Sequence, residues 1–265
     1  MSLKESLKVL VRRFVNTDMW AGDFASWQEA QARSTGYDAE AIFKKVEAAT
    51  LKVKNGEAVY ERDSVIFDEV EYSWPLVSAL LYVATQNNNQ LKVLDFGGSL
   101  GTSYFQNRKF ISHLQVEWNI VEQAGFVQTG MEKIADDQLH FFYSIDEYIA
   151  KHGTPHLLLL ACTLPYIEKP YELLDKLLSY NIPYLLIENT YFNFEDRDRI
   201  TVQTVLPEIY QASYPCWFLD YSKVKQQVTG RYHIISEHTN NDSLVLDGRR
   251  LHYRGLLAST APIPV

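Results

Sequence analysis

Val93-Leu94-Asp95-Phe96-Gly97-Gly98-Ser99-Leu100-Gly101 is the stretch on which the fold turns. An apolar run ends in an acid and passes directly into a glycine-rich turn, and the residues after it, Ser103 to His113, fit a helix. Glycine lets the backbone adopt positive φ and approach a ligand closely. The helix that follows presents unpaired N–H groups at its first turn. In an open parallel sheet, the crevice at such a strand end is where ligands bind.

The same pattern continues downstream. Leu91–Phe96, Val116–Val121, Leu139–Tyr143, Leu157–Ala161 and Pro183–Ile187 read as short strands, with helices fitting at Ser103–His113, Ala124–Ile134, Ile145–Lys151 and Pro170–Tyr180. Runs such as LKVLDF, HLLLLA and PYLLI are apolar without alternation, as strands covered on both faces are. Repeated βα units of this length predict an α/β fold with a mostly parallel, doubly wound sheet. A helix at Tyr221–Val228 then precedes YHIISEHT and RLHYRGLLA, two runs joined by the polar NNDSLVLDGRR, which predict an antiparallel C-terminal hairpin.

Upstream, residues 1–90 read as a mostly helical cap on a core spanning 91–265. Leu3, Leu7, Leu10, Val11 and Phe14 share one face of an amphipathic helix, which favours docking on its own domain over contact with a membrane surface. Phe24–Arg33 after Asp23, and Ala39–Val53 after Asp38, predict two more helices with acidic caps. Ser73-Trp74-Pro75 opens another, with proline in the first turn.

Composition removes several function classes. The chain has 265 residues, with 25 Lys and Arg against 33 Asp and Glu. That acidic balance, with no basic run longer than two residues, argues against nucleic acid as a partner. Cys162 and Cys216 cannot build a disulfide framework, and no CxxC pair suggests zinc. The longest apolar run, Leu157 to Cys162, is far short of the roughly 20 residues that span a bilayer, and the N-terminus lacks a signal peptide's apolar centre. The expected location is cytoplasmic.

Nucleotide motifs can be separated by register. Dinucleotide G-x-G-x-x-G, started at Gly97, meets Ser99 and Thr102 where glycine is required; started at Gly98, it meets Leu100. A phosphate-binding loop needs a lysine that the turn lacks. What remains is D-x-G-x-x-x-G, with Asp95, Gly97 and Gly101. It resembles the first motif of class I S-adenosylmethionine-dependent methyltransferases, with Ser99 standing where a middle glycine is usual. Glu122 ends the next strand, 21 residues beyond Gly101. An acid there is placed to accept hydrogen bonds from both ribose hydroxyls, a reading favoured over an exposed cap on the following helix.

A wider resemblance runs from about Trp27 to Gly255. Gly36-Tyr37-Asp38, Tyr60-Glu61-Arg62-Asp63-Ser64, Leu94 through Tyr104, Val121-Glu122-Gln123, Thr201-Val202-Gln203 and Tyr210-Gln211-Ala212-Ser213-Tyr214-Pro215-Cys216-Trp217 occur in this order. Together they resemble a bacterial family assigned as methyltransferases and associated with surface-polysaccharide biosynthesis. The resemblance implies a Rossmann-like class I fold, S-adenosylmethionine as cofactor and a small-molecule or glycan-like acceptor. It also implies that Asp95 and the Gly97–Gly98–Gly101 turn hold the methionine end, and that Glu122 with Gln123 holds the ribose. Ser144 and Ile145 stand where adenine is met, although Ser144-Ile145-Asp146-Glu147 is equally a capping box. Cys162 and Thr163 lie where the reacting sulfonium passes.

The acceptor side is less marked. Tyr191, Phe192, Phe194, Tyr210, Tyr214 and Trp217 could stack on a flat acceptor, with Arg199 and Gln203 supplying hydrogen bonds and Tyr104 near the turn; the alternative is a loop packed by its own aromatics. A hydroxyl acceptor also needs a base. Glu61 and Asp63, on a segment expected to fold over the cofactor as a lid, are weak candidates, as are His233 and His252. Two other functions remain in view: a nicotinamide-dependent oxidoreductase on the same architecture, and a non-catalytic adenosyl-binding module in an assembly.

Overall fold

The computed structural model describes residues 19–35, 39–205, 209 and 212–262. The expected amphipathic helix at Leu3–Phe14, the Gly36-Tyr37-Asp38 stretch, Tyr210 and Gln211 lie outside the described residues. In chain order come β1 (Trp20–Phe24), α1 (Trp27–Arg33), α2 (Ala39–Lys54), β2 (Tyr60–Arg62), β3 (Val65–Phe67) and α3 (Trp74–Gln86). The alternating part follows as β4 (Gln90–Phe96), α4 (Thr102–Ile111), β5 (Gln115–Val121), α5 (Ala124–Thr129, continued by a π turn Gly130–Ile134), β6 (Leu139–Phe142), α6 (Ile145–His152), β7 (Leu157–Ala161), α7 (Pro170–Ser179) and β8 (Tyr184–Thr190). The chain then adds β9 (Arg199–Thr204), β10 (Ser213–Phe218), α8 (Tyr221–Thr229), β11 (His233–Leu246) and β12 (Arg249–Ser259).

Seven strands form the main sheet in the order β11-β12-β8-β7-β4-β5-β6. The five from β4 to β8 are parallel, and β12 runs antiparallel to both β8 and β11. This is the expected Rossmann-like, mostly parallel sheet closed by an antiparallel hairpin. Both faces are covered, so alternate residues of one strand are equally buried: Val93 and Leu94 each have 0% exposure. Val93, Trp118 and Leu157 pack with α2, α3 and α4 on one side, and Leu94, Leu158 and Leu185 pack with α6, α7 and α8 on the other. Strand order moves outward from β4 to β6 and then reverses to β7 and β8. The reversal opens a crevice between the ends of β4 and β7, where the glycine turn sits.

Three regions differ from the sequence expectations. The described part of residues 1–90 adds strands to its helices. β1 pairs with β9, and β2 and β3 form a hairpin whose turn residues Asp63 and Ser64 have φ of 51° and 67°. Phe24 belongs to β1, and the cap of α1 is Ser26, whose Oγ accepts from Glu29 N at 3.1 Å while Glu29 accepts from Ala25 N at 3.1 Å. This Ser26 cap, reinforced by Glu29 reaching back to the residue before it, takes the place expected for Asp23, which is instead ion-paired with Arg197.

The aromatic segment expected as a loop contains β9 and β10, which with β1 make a separate three-stranded sheet. The hairpin strands also run through the polar stretch 240–246 to a two-residue turn at Asp247-Gly248, with φ of 49° and 75°. Asp-Gly is favoured there because both positions need positive φ. A further apolar cluster, including Trp20, Val65, Tyr191, Cys216, Phe218 and Leu246, joins the small sheet, the β2–β3 hairpin and the C-terminal hairpin. No helix among the described residues is long and apolar enough to cross a membrane.

Candidate functional site

Sterics explain the glycine turn. A Cβ on Gly98 would lie 2.5 Å from the Asp95 carboxyl carbon, and one on Gly97, at φ 76°, would lie 2.7 Å from Thr163 Cγ2. Gly101, at φ 102°, starts α4. Ser99 keeps a glycine-like φ of 54°, at a cost of about 1–2 kcal/mol for an L-residue. Its substitution for the usual middle glycine therefore leaves the left-handed turn in place. Cys162, after β7, and Asn189, in β8, also have positive φ, 54° and 48°. Three left-handed non-glycine residues thus stand at or near the ends of β4, β7 and β8, while Asn88, Asn89 and Asn181 occupy turns at the opposite edge of the sheet.

Asp95 lies beneath this turn with 0% exposure. Trp118 Nε1 donates to its Oδ2 at 3.1 Å, while Oδ1 has no partner among the described residues. Burial pushes its carboxyl up to about 7, and the nearby Glu122 charge adds to the rise. Glu122 is half-buried at the lip, accepting from Gln123 N at 2.6 Å and from the Ser99 backbone; burial raises its carboxyl too. Asp95, Gly97, Gly98, Gly101, Glu122 and Gln123 are thus brought together. Thr163 joins them, donating from Oγ1 to Phe96 O at 2.9 Å and fastening the end of β7 to that of β4. Cys162 follows β7 directly, and its N donates to Glu188 O at 3.0 Å.

Ser144 has a structural role. Its Oγ caps α6 by accepting from Glu147 N at 3.1 Å, and Ile145 is buried in the core beside it. Glu61 lies against the turn from above. It is 2% exposed and accepts from the Thr102 hydroxyl and from Ser64 N at 3.3 Å. Burial pushes its carboxyl up to about 7; the Thr102 hydrogen bond opposes the shift and the Asp63 charge reinforces it. Arg62, the next residue, reaches Asp242 on β11 at 2.9 Å. The β2–β3 hairpin therefore straps the start of α4 to β11.

The chain is similar in fold to several solved structures. One is an O-methyltransferase family protein from Burkholderia thailandensis, with 14% identity and a TM-score of 0.49, covering 97% of this chain and 70% of that one. Another is magnesium protoporphyrin IX methyltransferase from Synechocystis PCC 6803 with bound S-adenosylmethionine, with 11% identity and a TM-score of 0.45, covering 86% and 99%. A third is the N-terminal domain of EvdMO1 with S-adenosylhomocysteine and D-fucose, with 11% identity and a TM-score of 0.44, covering 85% and 98%. No family model and no curated protein matches the chain.

The expected acceptor residues divide. Gln203 accepts from the Tyr166 hydroxyl at 2.9 Å, and the Tyr214 ring lies 5.6 Å from that of Tyr166, in a cluster that includes Cys162. Arg199 instead donates to Gly22 O at 2.9 Å and is ion-paired with Asp247. Trp217 stacks on Trp27 at 6.3 Å. Tyr104 is a core residue against Trp118, bonded to Gln138 at 3.0 Å, with its phenol pushed up to about 12 by burial. Arg199, Trp217 and Tyr104 are therefore packing residues in this structure and do not line the turn. His233 pairs with Ser259, opposite the start of β8, at the far end of the sheet from the turn. His252 is exposed beside Phe192 and Arg254. Sequence reasoning missed Tyr166, Thr102 and the buried Glu188 with its neighbours. The signal for Glu188 was present, since it ends the apolar run Leu185-Leu186-Ile187 as Asp95 ends Val93-Leu94.

Proposed function

We propose that the chain is an S-adenosylmethionine-dependent methyltransferase acting on a small or glycan-like acceptor. The observation that carries this reading is the buried Asp95 with one unpaired oxygen, set under a turn too tight for a Cβ at the sheet's topological switch point. A buried carboxylate lacking a donor is complementary to an ammonium group, and the adenosyl cofactor has one at its methionine end. Because Asp95 has no exposed surface, it reaches that group through an ordered water or after Gly98 lifts. Glu122 would exchange its two backbone partners for the ribose hydroxyls. With the Ser144 Oγ engaged in the α6 cap, adenine would meet Ser144 and Ile145 through their backbone. When bound, the cofactor supplies a methyl group made electrophilic by a positively charged sulfur.

The chain's own residues would then align the acceptor and exclude water. Cys162 and Thr163 form one wall, with Gln203, Tyr166 and Tyr214 behind them. Residues 1–90 would act as a cap through the β2–β3 strap, with Glu61 and Asp63 at the edge of the turn. S-adenosylhomocysteine should raise the melting temperature of the purified chain. A ligand at about a hundred times its dissociation constant adds about 2.7 kcal/mol of stability, several degrees for a domain of this size. No shift with S-adenosylhomocysteine, together with a shift by NAD, would replace this reading with the oxidoreductase one.

A further inference from the structure

Glu188, in β8, is 1% exposed, yet its carboxylate is fully engaged. Oε1 accepts from Ser73 Oγ at 2.6 Å and Asn240 Nδ2 at 2.7 Å, and Oε2 meets His238 Nε2 at 2.6 Å. Ser73 is the N-cap of α3, and His238 and Asn240 belong to β11. β11 is not adjacent to β8, because β12 lies between them. Gly255 of β12 is the direct partner of His238, and a Cβ there would stand 2.6 Å from both His238 Cε1 and Ile187 O. The imidazole thus passes over the one strand position where a side chain is missing and meets a carboxylate two strands away.

This partner fixes the ring. In the neutral ring, a carboxylate at Nε2 favours the tautomer protonated there, which leaves the Nδ1 lone pair available. Nδ1 has no hydrogen-bond partner among the described residues. His238 lines a cleft of about 430 Å³ between α3 and the C-terminal hairpin, a volume suited to a small organic molecule. Its walls include Trp74, Tyr82, Leu186 and Leu257, with the Ser78 and Ser236 residues as further polar points. Trp74 is 58% exposed although its ring packs against Tyr72 and Phe110, each at 5.6 Å, so part of a large flat surface stays open. His238 stands at the end of the cleft nearer the crevice, since its partner Glu188 pairs with Ala161, one residue before Cys162, while the lining residues Leu186 and Leu257 lie about two residues further back along β8.

We propose that this cleft takes the methyl acceptor, that the acceptor is a small aromatic compound bearing a hydroxyl group, and that His238 is its general base. The proposal rests on the methyltransferase reading and sharpens its acceptor. A flat ring matches the apolar walls, whereas a fully hydroxylated sugar would bury hydroxyls against them without partners. As the acceptor oxygen bonds to the methyl carbon, its proton passes to His238 Nδ1. The S–CH3 bond breaks with its electron pair remaining on sulfur, giving the neutral thioether. Glu188 stabilises the imidazolium, which then returns the proton to solvent. Glu188 is a positioning residue, and Gly255 provides the space.

The test titrates 4-nitrophenol into the full chain saturated with S-adenosylhomocysteine, at mildly acidic pH where the free compound is protonated. The expected result is quenching of tryptophan fluorescence together with the visible phenolate band. Trp74→Ala should weaken binding about tenfold. His238→Gln should keep the quenching and lose the band. Glu188→Gln should keep affinity for the phenol and reduce the band, which a purely structural role would not do. Retained S-adenosylhomocysteine binding shows that each variant is folded. A band that survives His238→Gln, binding insensitive to Trp74→Ala, competition by methyl β-D-glucopyranoside, or no phenol binding by chain that holds S-adenosylhomocysteine would each overturn the proposal. Failure of the wild-type chain to hold S-adenosylhomocysteine would instead remove the methyltransferase reading.

Discussion

Asp95 and Glu188 stand near the ends of two strands of one sheet, both buried, and the protein surrounds them in opposite ways. Asp95 has a single donor, Trp118, and one oxygen with no partner among the described residues. Glu188 has donors from Ser73 and Asn240, and His238 completes its shell. A buried acid left short of donors is raised toward its neutral form until a cation arrives. An acid fully supplied with donors is already assembled and acts by orienting its neighbour. The contrast teaches that, on the proposed function, the Asp95 site would be completed by a ligand, whereas the Glu188 site is already complete and would present a fixed imidazole to one.

The largest expected effect concerns the missing donor at Asp95. Its folded value of about 7 lies above the ordinary 3.8, so the fold favours the protonated acid. This contribution is fully present below about pH 4 and is lost as pH rises through 7, amounting to up to about 4 kcal/mol. Melting temperatures recorded across this window should fall in the wild-type chain and fall distinctly less in Asp95→Asn. Equal slopes would show that Asp95 is not the strained acid. Glu61 and Glu122 are shifted in the same direction by burial and contribute to the slope that remains.

Gly98→Val strikes the turn itself. Overpacking against the Asp95 carboxyl costs about 1–3 kcal/mol, and S-adenosylhomocysteine affinity should fall up to about a hundredfold while the far end of the crevice is untouched. Normal affinity would separate the turn from the ligand. Glu122→Ala removes a charge-assisted hydrogen bond worth roughly 1.5–3 kcal/mol, a tenfold to hundredfold loss by calorimetry. An unchanged constant in a folded variant takes Glu122 out of the site.

The smallest effect belongs to Arg199. Its partner Asp247 is 54% exposed at the side chain, so solvent screens the pair. Arg199→Ala removes its bond to Gly22 O along with the screened pair, should cost about 1–2 kcal/mol of stability and should leave S-adenosylhomocysteine affinity unchanged. A large loss of affinity would return Arg199 to the ligand site.

Sequence legibility follows the same division. The Asp95 end is readable because acid, turn and helix start are contiguous, from Asp95 to Thr102, and because the apolar runs of β4, β7 and β8 mark strands buried on both faces. The three-stranded sheet is harder to read, since β1, β9 and β10 come from opposite ends of the chain and the aromatic content of Tyr191–Trp217 suggests a binding loop as readily as a core. Arg199 and Trp217 have the chemistry of a sugar site and the positions of packing residues. The polar opening of the stretch at 240–243 obscures β11, although Asp247-Gly248 is a strong turn signal. The Glu188 end unites residues 73, 188, 238, 240 and 255, and no local pattern reveals that an imidazole crosses a strand above a glycine.

The most direct test of the central claim is calorimetric titration of the full chain with S-adenosylhomocysteine, with NAD titrated in parallel and any co-purified ligand first removed and identified by mass spectrometry. One site per chain with micromolar affinity for the adenosyl ligand, and no heat from NAD, is the predicted result. Binding of NAD, or no binding of S-adenosylhomocysteine by folded, ligand-free protein, would contradict the assignment of the Asp95 turn to this cofactor.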